Sequence, residues 1–378
     1  MKQYPIICRP FRGFTVSGGS CTQGLRPGLE SFAPPGLPTH GPGVAASWLA
    51  AGLILIATVA GVFGGAIPAC AADAPGSTYS VIISSLPGEP DYEKILQGWG
   101  KDLYTALRKN AAEDHVYWLA AKKETGVYAE SRLDQITKVF DLLATLIQPQ
   151  DAFELLLIGH GSFDDFDFRI NIPGPDLTAA QLAEMLGRIR AERQLVANMT
   201  SSSGATIASL RRKGRILITA TSAGKERNFS QFPRYFIEAL REPAADTDKN
   251  QEVSVLEAFR FASHEVARYY QQATRLATEH ALLEDRGDGD GVREPGADNG
   301  EGLLAASMVL VRLGDERSGV ESPEARALRA DKRRVEEAIE ALKYRKASLN
   351  SKEYSQQLEK LLIQLAQLQQ KLDTLEKK

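Results

Sequence analysis

The sequence predicts a doubly wound, mostly parallel α/β sheet followed by a C-terminal α-helical hairpin or coiled coil. Three observations predict it. Between residues 79 and 240, short apolar runs alternate with stretches of helical periodicity, the pattern of repeated βαβ units. The strand runs, such as "FELLLIGHG" and "GRILITAT", are nearly continuous in apolar residues, as expected when helices cover both faces. From Pro323 the chain becomes charged and nearly free of Gly and Pro, with leucines at coiled-coil spacing.

The chain of 378 residues begins with a leader-like region. Residues 1–43 are rich in Gly and Pro and read as disordered or as an over-extended start. Val44 to Ala72 holds no charged residue and ends in the small-residue stretch "ACAADA", so 44–74 is expected to be a signal peptide or an N-terminal anchor. The body would then be exported, periplasmic or secreted, or held at a membrane by residues 44–72. The three cysteines, Cys8, Cys21 and Cys70, all precede the body. A disulfide framework, a cysteine nucleophile and a thiolate metal site are therefore excluded from it. A formal net charge of −3 gives no case for binding nucleic acid.

The body, residues 77–315, opens with a strand in "YSVIISSL", bounded by "PGEPDY". A helix follows in "YEKILQGWGKDLYTALRK", where Ile95, Leu96, Trp99, Leu103 and Leu107 share helical spacing. "HVYWLAAKK" is a strand, "ESRLDQITKVFDLLATLI" a helix, and "FELLLIGHG" a strand. "DLTAAQLAEMLGRI" is a helix with Asp176 or Thr178 as its cap. "RQLVANMT" and "GRILITAT" are strands, and the chain turns helical again near the end of "SAGKERNFSQFPRYFIEAL". In open parallel sheets ligands bind at the carboxyl ends of the strands. Three polar, small-residue turns fall there: "GHGS", "TSSSG" and "TSAGKERN".

These three turns, in this order, resemble the legumain family of caspase-like peptidases, which includes the GPI transamidase catalytic subunit. The resemblance covers roughly Tyr79 to Leu240 and implies a caspase-like fold. In that family a strand ending in His-Gly-Ser carries the catalytic histidine, matched here by "LLLIGHGS". The next ends in Ala-Cys-x-Ser-Gly, where "LVANMTSSSGA" stands. A third ends in an Ala-Thr-rich turn lining the specificity pocket, matched by "ILITATSAGKERN". The resemblance implies that His160 is the base, that the Gly161 amide belongs to an oxyanion hole, and that Ser222, Glu226 and Arg227 face the substrate. It places Ser201 where the cysteine belongs and Met199 at the family's acid. A hydroxyl ionises far less readily than a thiol, so serine can serve only beside a well-placed base and a formed oxyanion hole. The leading expectation is a pseudo-peptidase that binds a peptide or protein ligand without cutting it. The alternative is a hydrolase with Ser201 as nucleophile and His160 as base. The plainest alternative is a strand that ends at a polar turn.

"DTDKNQEVSVLE", residues 246–257, has the oxygen-ligand spacing of an EF-hand loop, with Asp246, Asp248, Asn250, Glu252 and a closing Glu257. Calcium is the cofactor this spacing points to. Gln251 stands at position six, where Gly makes the sharp turn, and an Asp-capped helix start remains the other reading. A second acidic, Gly-rich stretch, "EDRGDGDGVREPGADNGEG", offers Asp285, Asp288 and Asp290 to a cation or reads as a flexible loop. "LLAASMVLVRL" is expected to be the last strand.

In the tail, 323–378, Leu328, Val335, Leu342 and Leu349 recur every seven residues. Leu358, Leu361, Leu365, Leu368, Leu372 and Leu375 then alternate spacings of three and four. Asn350 and Ser351 can cap a second helix, which favours a hairpin over one rod. Such a hairpin must dock on the domain, pair with another copy as a homo-oligomer, or bind a partner helix.

Overall fold

The computed structural model describes residues 76–109, 111–313 and 322–376. The expected leader, 1–43 and 44–74, lies outside the described residues. Among the described helices none is long and apolar enough to cross a membrane.

In chain order the elements are β1 (Thr78–Ser84), α1 (Pro90–Leu107), β2 (Val116–Ala120), β3 (Ala129–Glu130), α2 (Leu133–Leu146) and β4 (Ala152–Gly159). A small antiparallel sheet follows: β5 (Gly161–Phe163), β6 (Phe168–Ile170) and β7 (Leu177–Thr178). Then come α3 (Ala179–Arg188), β8 (Arg193–Thr200), α4 (Ile207–Leu210), β9 (Arg215–Thr219) and α5 (Phe232–Ala239). The chain continues through β10 (Glu252–Ser254), α6 (Val255–Gln272), β11 (Leu282–Glu284), α7 (Leu303–Ser307) and β12 (Val309–Arg312). It ends in α8 (Pro323–Tyr344) and α9 (Ser351–Glu376).

The main sheet has seven strands in the order β11-β9-β8-β4-β1-β2-β3. All neighbours run parallel except β11, which lies antiparallel on β9. The chain goes outward from β1 to β2 and β3, then crosses to β4 on the other side of β1. That reversal makes the crevice between the carboxyl ends of β1 and β4 the topological switch point, the expected ligand position of such a sheet.

Successive side chains of a strand point to opposite faces, and the strands feed two separate cores. Ile82, Trp118, Leu156 and Ala197 pack with Leu103 of α1, Phe236 of α5 and Phe259 of α6. Val81, Ile83, Leu155 and Val196 pack with Phe140 and Leu143 of α2 and Leu182 and Leu186 of α3. The central strand β4 is buried along its whole length. Its one acid, Glu154, accepts a hydrogen bond from Ser80 Oγ at 2.7 Å, and burial pushes its carboxyl up to about 7.

Two elements differ from the sequence expectation. The segment 303–313 is not one strand. Its first half is the short helix α7, because the Asp285 carboxylate accepts from Gly302 N at 2.8 Å and Ala305 N at 2.9 Å. Its second half, β12, pairs antiparallel with β10 outside the main sheet. Between the two α3 cap candidates, Thr178 is the N-cap, in a reciprocal capping box with Gln181.

The tail forms two helices that pack on each other. Asn350 Oδ1 caps α9 by accepting from Glu353 N at 2.8 Å. Ile339 and Leu342 of α8 and Leu372 of α9 are buried, and Leu358, Leu361, Leu365, Leu368 and Leu375 are half-buried on the same seam. The hairpin reaches the domain through Arg333, paired with Glu252 at 2.8 Å, and through Tyr344, whose hydroxyl donates to the Glu301 carbonyl at 2.7 Å.

Candidate active site

His160 follows β4 at the switch point. Gly159 before it has φ +113, a conformation that side chains avoid, and a Cβ there would lie 2.1 Å from Ser85 Oγ. The turn therefore requires glycine. It lets the His160 amide donate to Ser85 Oγ at 2.6 Å, joining the ends of β1 and β4.

Aromatic side chains wall the imidazole. Tyr92 meets it edge-on at 5.4 Å and Phe229 lies 5.2 Å away. Tyr92 stacks on Phe229 at 4.2 Å, and Trp99 stacks on the same ring at 5.4 Å. The β1–α1 loop closes another side, since a Cβ on Gly88 would lie 3.6 Å from His160 Nε2. That nitrogen is buried without a hydrogen-bond partner among the described residues. Burial holds the imidazole below its ordinary pKa, while the nearby Pro87 carbonyl and the charge of Glu89 pull the other way. Burial thus favours the neutral ring.

Ser201 stands beside this turn, at the end of the adjacent strand β8. Its hydroxyl donates to the Gly161 carbonyl at 3.0 Å and accepts from Gly161 N at 3.2 Å. The side chain is 1% exposed. The structure brings His160, Gly161 and Ser201 to one edge. In this arrangement the hydroxyl proton points at a carbonyl, and the Gly161 amide is occupied by the hydroxyl oxygen.

The neighbouring serines lock the loops. Ser203 Oγ lies 3.2 Å from Thr221 Oγ1 and accepts from Thr221 N at 3.1 Å, and Gly204 N donates to Thr221 Oγ1 at 2.9 Å. Ser202 differs: it has φ +59, is fully buried, and its Oγ has no partner among the described residues.

Ser222 lies on the turn after β9, also at the carboxyl edge. Its amide and hydroxyl donate to Glu226 at 2.8 and 3.0 Å. Glu226 also takes the His280 amide at 3.2 Å and pairs with His280 Nδ1 at 2.5 Å. Its carboxylate thus anchors its own loop and the segment before β11. Arg227 is exposed and donates to the Phe163 carbonyl at 3.2 Å. Of the three turn residues, it is the one that presents charge to solvent.

No protein-family model matches the sequence, and no curated protein matches it. Among solved structures the chain is similar to the Drosophila initiator caspase Dronc. The identity is 12%, the match covers 58% of this chain and 82% of that one, and the TM-score is 0.35. It is also similar to a secreted C11 cysteine protease from Bacteroides thetaiotaomicron, solved with an irreversible peptide inhibitor. There the identity is 11%, the match covers 57% of this chain and 67% of that one, and the TM-score is 0.34.

Sequence reasoning missed the aromatic wall. Tyr92 and Trp99 are seven residues apart, which puts them on one side of α1. Phe229 sits in a loop with no periodicity to mark it. It also missed Glu279, whose carboxylate accepts from Gln231 N at 2.8 Å and Phe232 N at 3.0 Å, fixing the start of α5.

One oxygen each from Asp246, Asp248 and Glu257 lies within 4.8 Å of the others. Asp246 accepts from Asn250 N and Gln251 N, both at 3.1 Å. Gln251 adopts φ +68, the conformation that glycine would supply. Asn250 Oδ1 accepts from Glu252 N at 2.7 Å. The Glu252 carboxylate turns away, to Arg312 at 3.0 Å and Arg333 at 2.8 Å. Ser254 caps α6 in a reciprocal box with Glu257. Burial, then the Glu257 charge, push Asp248 up to about 6.

Proposed function

We propose that this chain is a caspase-like, legumain-type pseudo-peptidase that holds an extended peptide at the β1–β4 crevice without cutting it. The observation that carries this is the pairing of Ser201 with Gly161. A working nucleophile needs its proton aimed at the base and a free amide for the oxyanion. Here the Ser201 hydroxyl and the Gly161 amide are bonded to each other. The half-buried rings of Tyr92 and Phe229 beside His160 give a ligand side chain a stacking surface.

A hydrolase using Ser201 and His160 is the second reading. It rests on their meeting at one edge and on His160 Nε2, which has no hydrogen-bond partner among the described residues. A fluorophosphonate probe, which labels activated serines, separates the two. The pseudo-peptidase reading expects no labelling of the full chain. It also expects fluorescent peptides from a random library to bind, with binding lost in Phe229→Ala. Labelling at Ser201 that disappears in His160→Ala overturns it in favour of the hydrolase.

We also propose export on the strength of the uncharged 44–72 segment, and calcium at the Asp246 loop on the strength of its carboxylate spacing. The tail is proposed as a contact element for a second copy or a partner helix. Leu362 and Ile363 of α9 are 48% and 52% exposed.

A further inference from the structure

A second group of acids lies where β11 ends. One oxygen each from Glu284, Asp288 and Glu301 lies within 4.8 Å of the others. Calcium holds its oxygens at about 2.3–2.6 Å, so ligands on opposite sides of one ion sit at most about 5 Å apart. The three carboxylates meet that limit.

Proximity among acids alone is common on protein surfaces, but two of these three are buried. Glu284 is 0% exposed and Glu301 is 1% exposed. Each has one oxygen fixed by the main chain. Glu284 Oε1 accepts from Gly287 N, and Glu301 Oε2 accepts from Asp285 N at 2.7 Å. The other oxygen of each, Glu284 Oε2 and Glu301 Oε1, is buried with no hydrogen-bond partner among the described residues. A buried, unpaired carboxylate oxygen is costly, and two of them here belong to one cluster. The nearest positive group is the Arg286 guanidinium, 3.9 Å from Glu301 and 3.3 Å from Asp288. Its side chain is 52% exposed.

We propose that Glu284, Asp288 and Glu301 form a binding site for a hard divalent cation, calcium by the all-oxygen donor set. This site is separate from the Asp246 loop. It joins three parts of the molecule. Glu284 ends β11, which pairs with β9. Asp285 caps α7. The Glu301 carbonyl receives the Tyr344 hydroxyl of α8. An ion there ties the edge of the sheet to the end of α8, where the tail turns into α9.

The test is calorimetric titration of calcium chloride into the chelator-treated full chain. Asp246→Ala removes the other loop from the count. In that variant one calcium per chain should still bind. Adding Glu301→Gln should weaken this binding at least tenfold. Glu301→Gln has nearly the shape of the protonated acid. Should it fail to fold, the half-buried Asp288→Asn takes its place, with the same weakening expected. Loss of all calcium binding in Asp246→Ala alone overturns the proposal. So does binding that Glu301→Gln or Asp288→Asn leaves unchanged.

Discussion

Ser201 and Gly161 hold each other through one hydroxyl, which donates to the Gly161 carbonyl and accepts from its amide. The contact ties the turn after β4 to the end of β8. Ser201→Ala would remove this partner from the half-buried Gly161 amide and carbonyl. Denaturant unfolding should show a loss of about 1–3 kcal/mol. Unchanged stability in this variant would mean that the hydroxyl does not bridge the two strands.

Glu226 and Arg227 are adjacent but differ in consequence. The Glu226 carboxylate holds Ser222 and His280, and Glu226→Ala should lower the melting temperature, by about 1–3 kcal/mol in stability. Arg227 is exposed, and Arg227→Ala should leave stability within about 0.5 kcal/mol. Equal effects in thermal denaturation would refute the assignment of Glu226 as the anchor.

Glu154 gives a pH signature. Its folded-state pKa lies near 7, above the ordinary carboxylate value. The folded chain therefore holds its proton longer than the unfolded chain does. No penalty exists below about pH 4; the penalty grows as pH rises through the window to about 7 and is constant above it. Glu154→Gln should be nearly neutral in stability at pH 4.5 and stabilising by about 2–4 kcal/mol at pH 8. The difference between chemical denaturation curves at the two pH values checks it.

For the 246–257 loop, millimolar calcium should raise the melting temperature of the full chain, because an ion that binds only the folded state stabilises it. Asp246→Ala should reduce that shift. Gln251→Gly should enlarge it or raise the starting stability by up to about 1 kcal/mol, since Gln251 sits at φ +68. Identical shifts in the wild type and Asp246→Ala would leave only the Ser254 cap to explain the loop.

In the tail, Leu372 is 4% exposed between the two helices. Leu372→Asp should melt the hairpin at a cost of at least about 2 kcal/mol. Helical circular dichroism should fall while the near-ultraviolet signal of buried Trp118 persists. Loss of both signals together would mean that the sheet domain depends on the tail.

The βαβ core was legible because its signal is local. "RQLVANMT" reads as a strand from its apolar run, and Arg193–Thr200 is that strand. The small strands were not legible. β5, β6 and β7 hold two or three residues each, too few for a period to register. β11 was hidden because "LLE" pairs only by virtue of β9 lying beside it. At the site, His160 and Ser201 stood out by residue type and turn position. The Ser201–Gly161 bond depends on a side-chain rotamer, and Phe229 on the path of a loop, so neither leaves a trace in the spacing of residues.

The seven-stranded sheet ends in stubs on both sides, two residues of β3 and three of β11. An exposed strand edge is a template on which a foreign strand can grow, and a long flat edge invites fibrils. These borders offer only a few free amides before the backbone turns away. The sheet thus resists strand-by-strand aggregation.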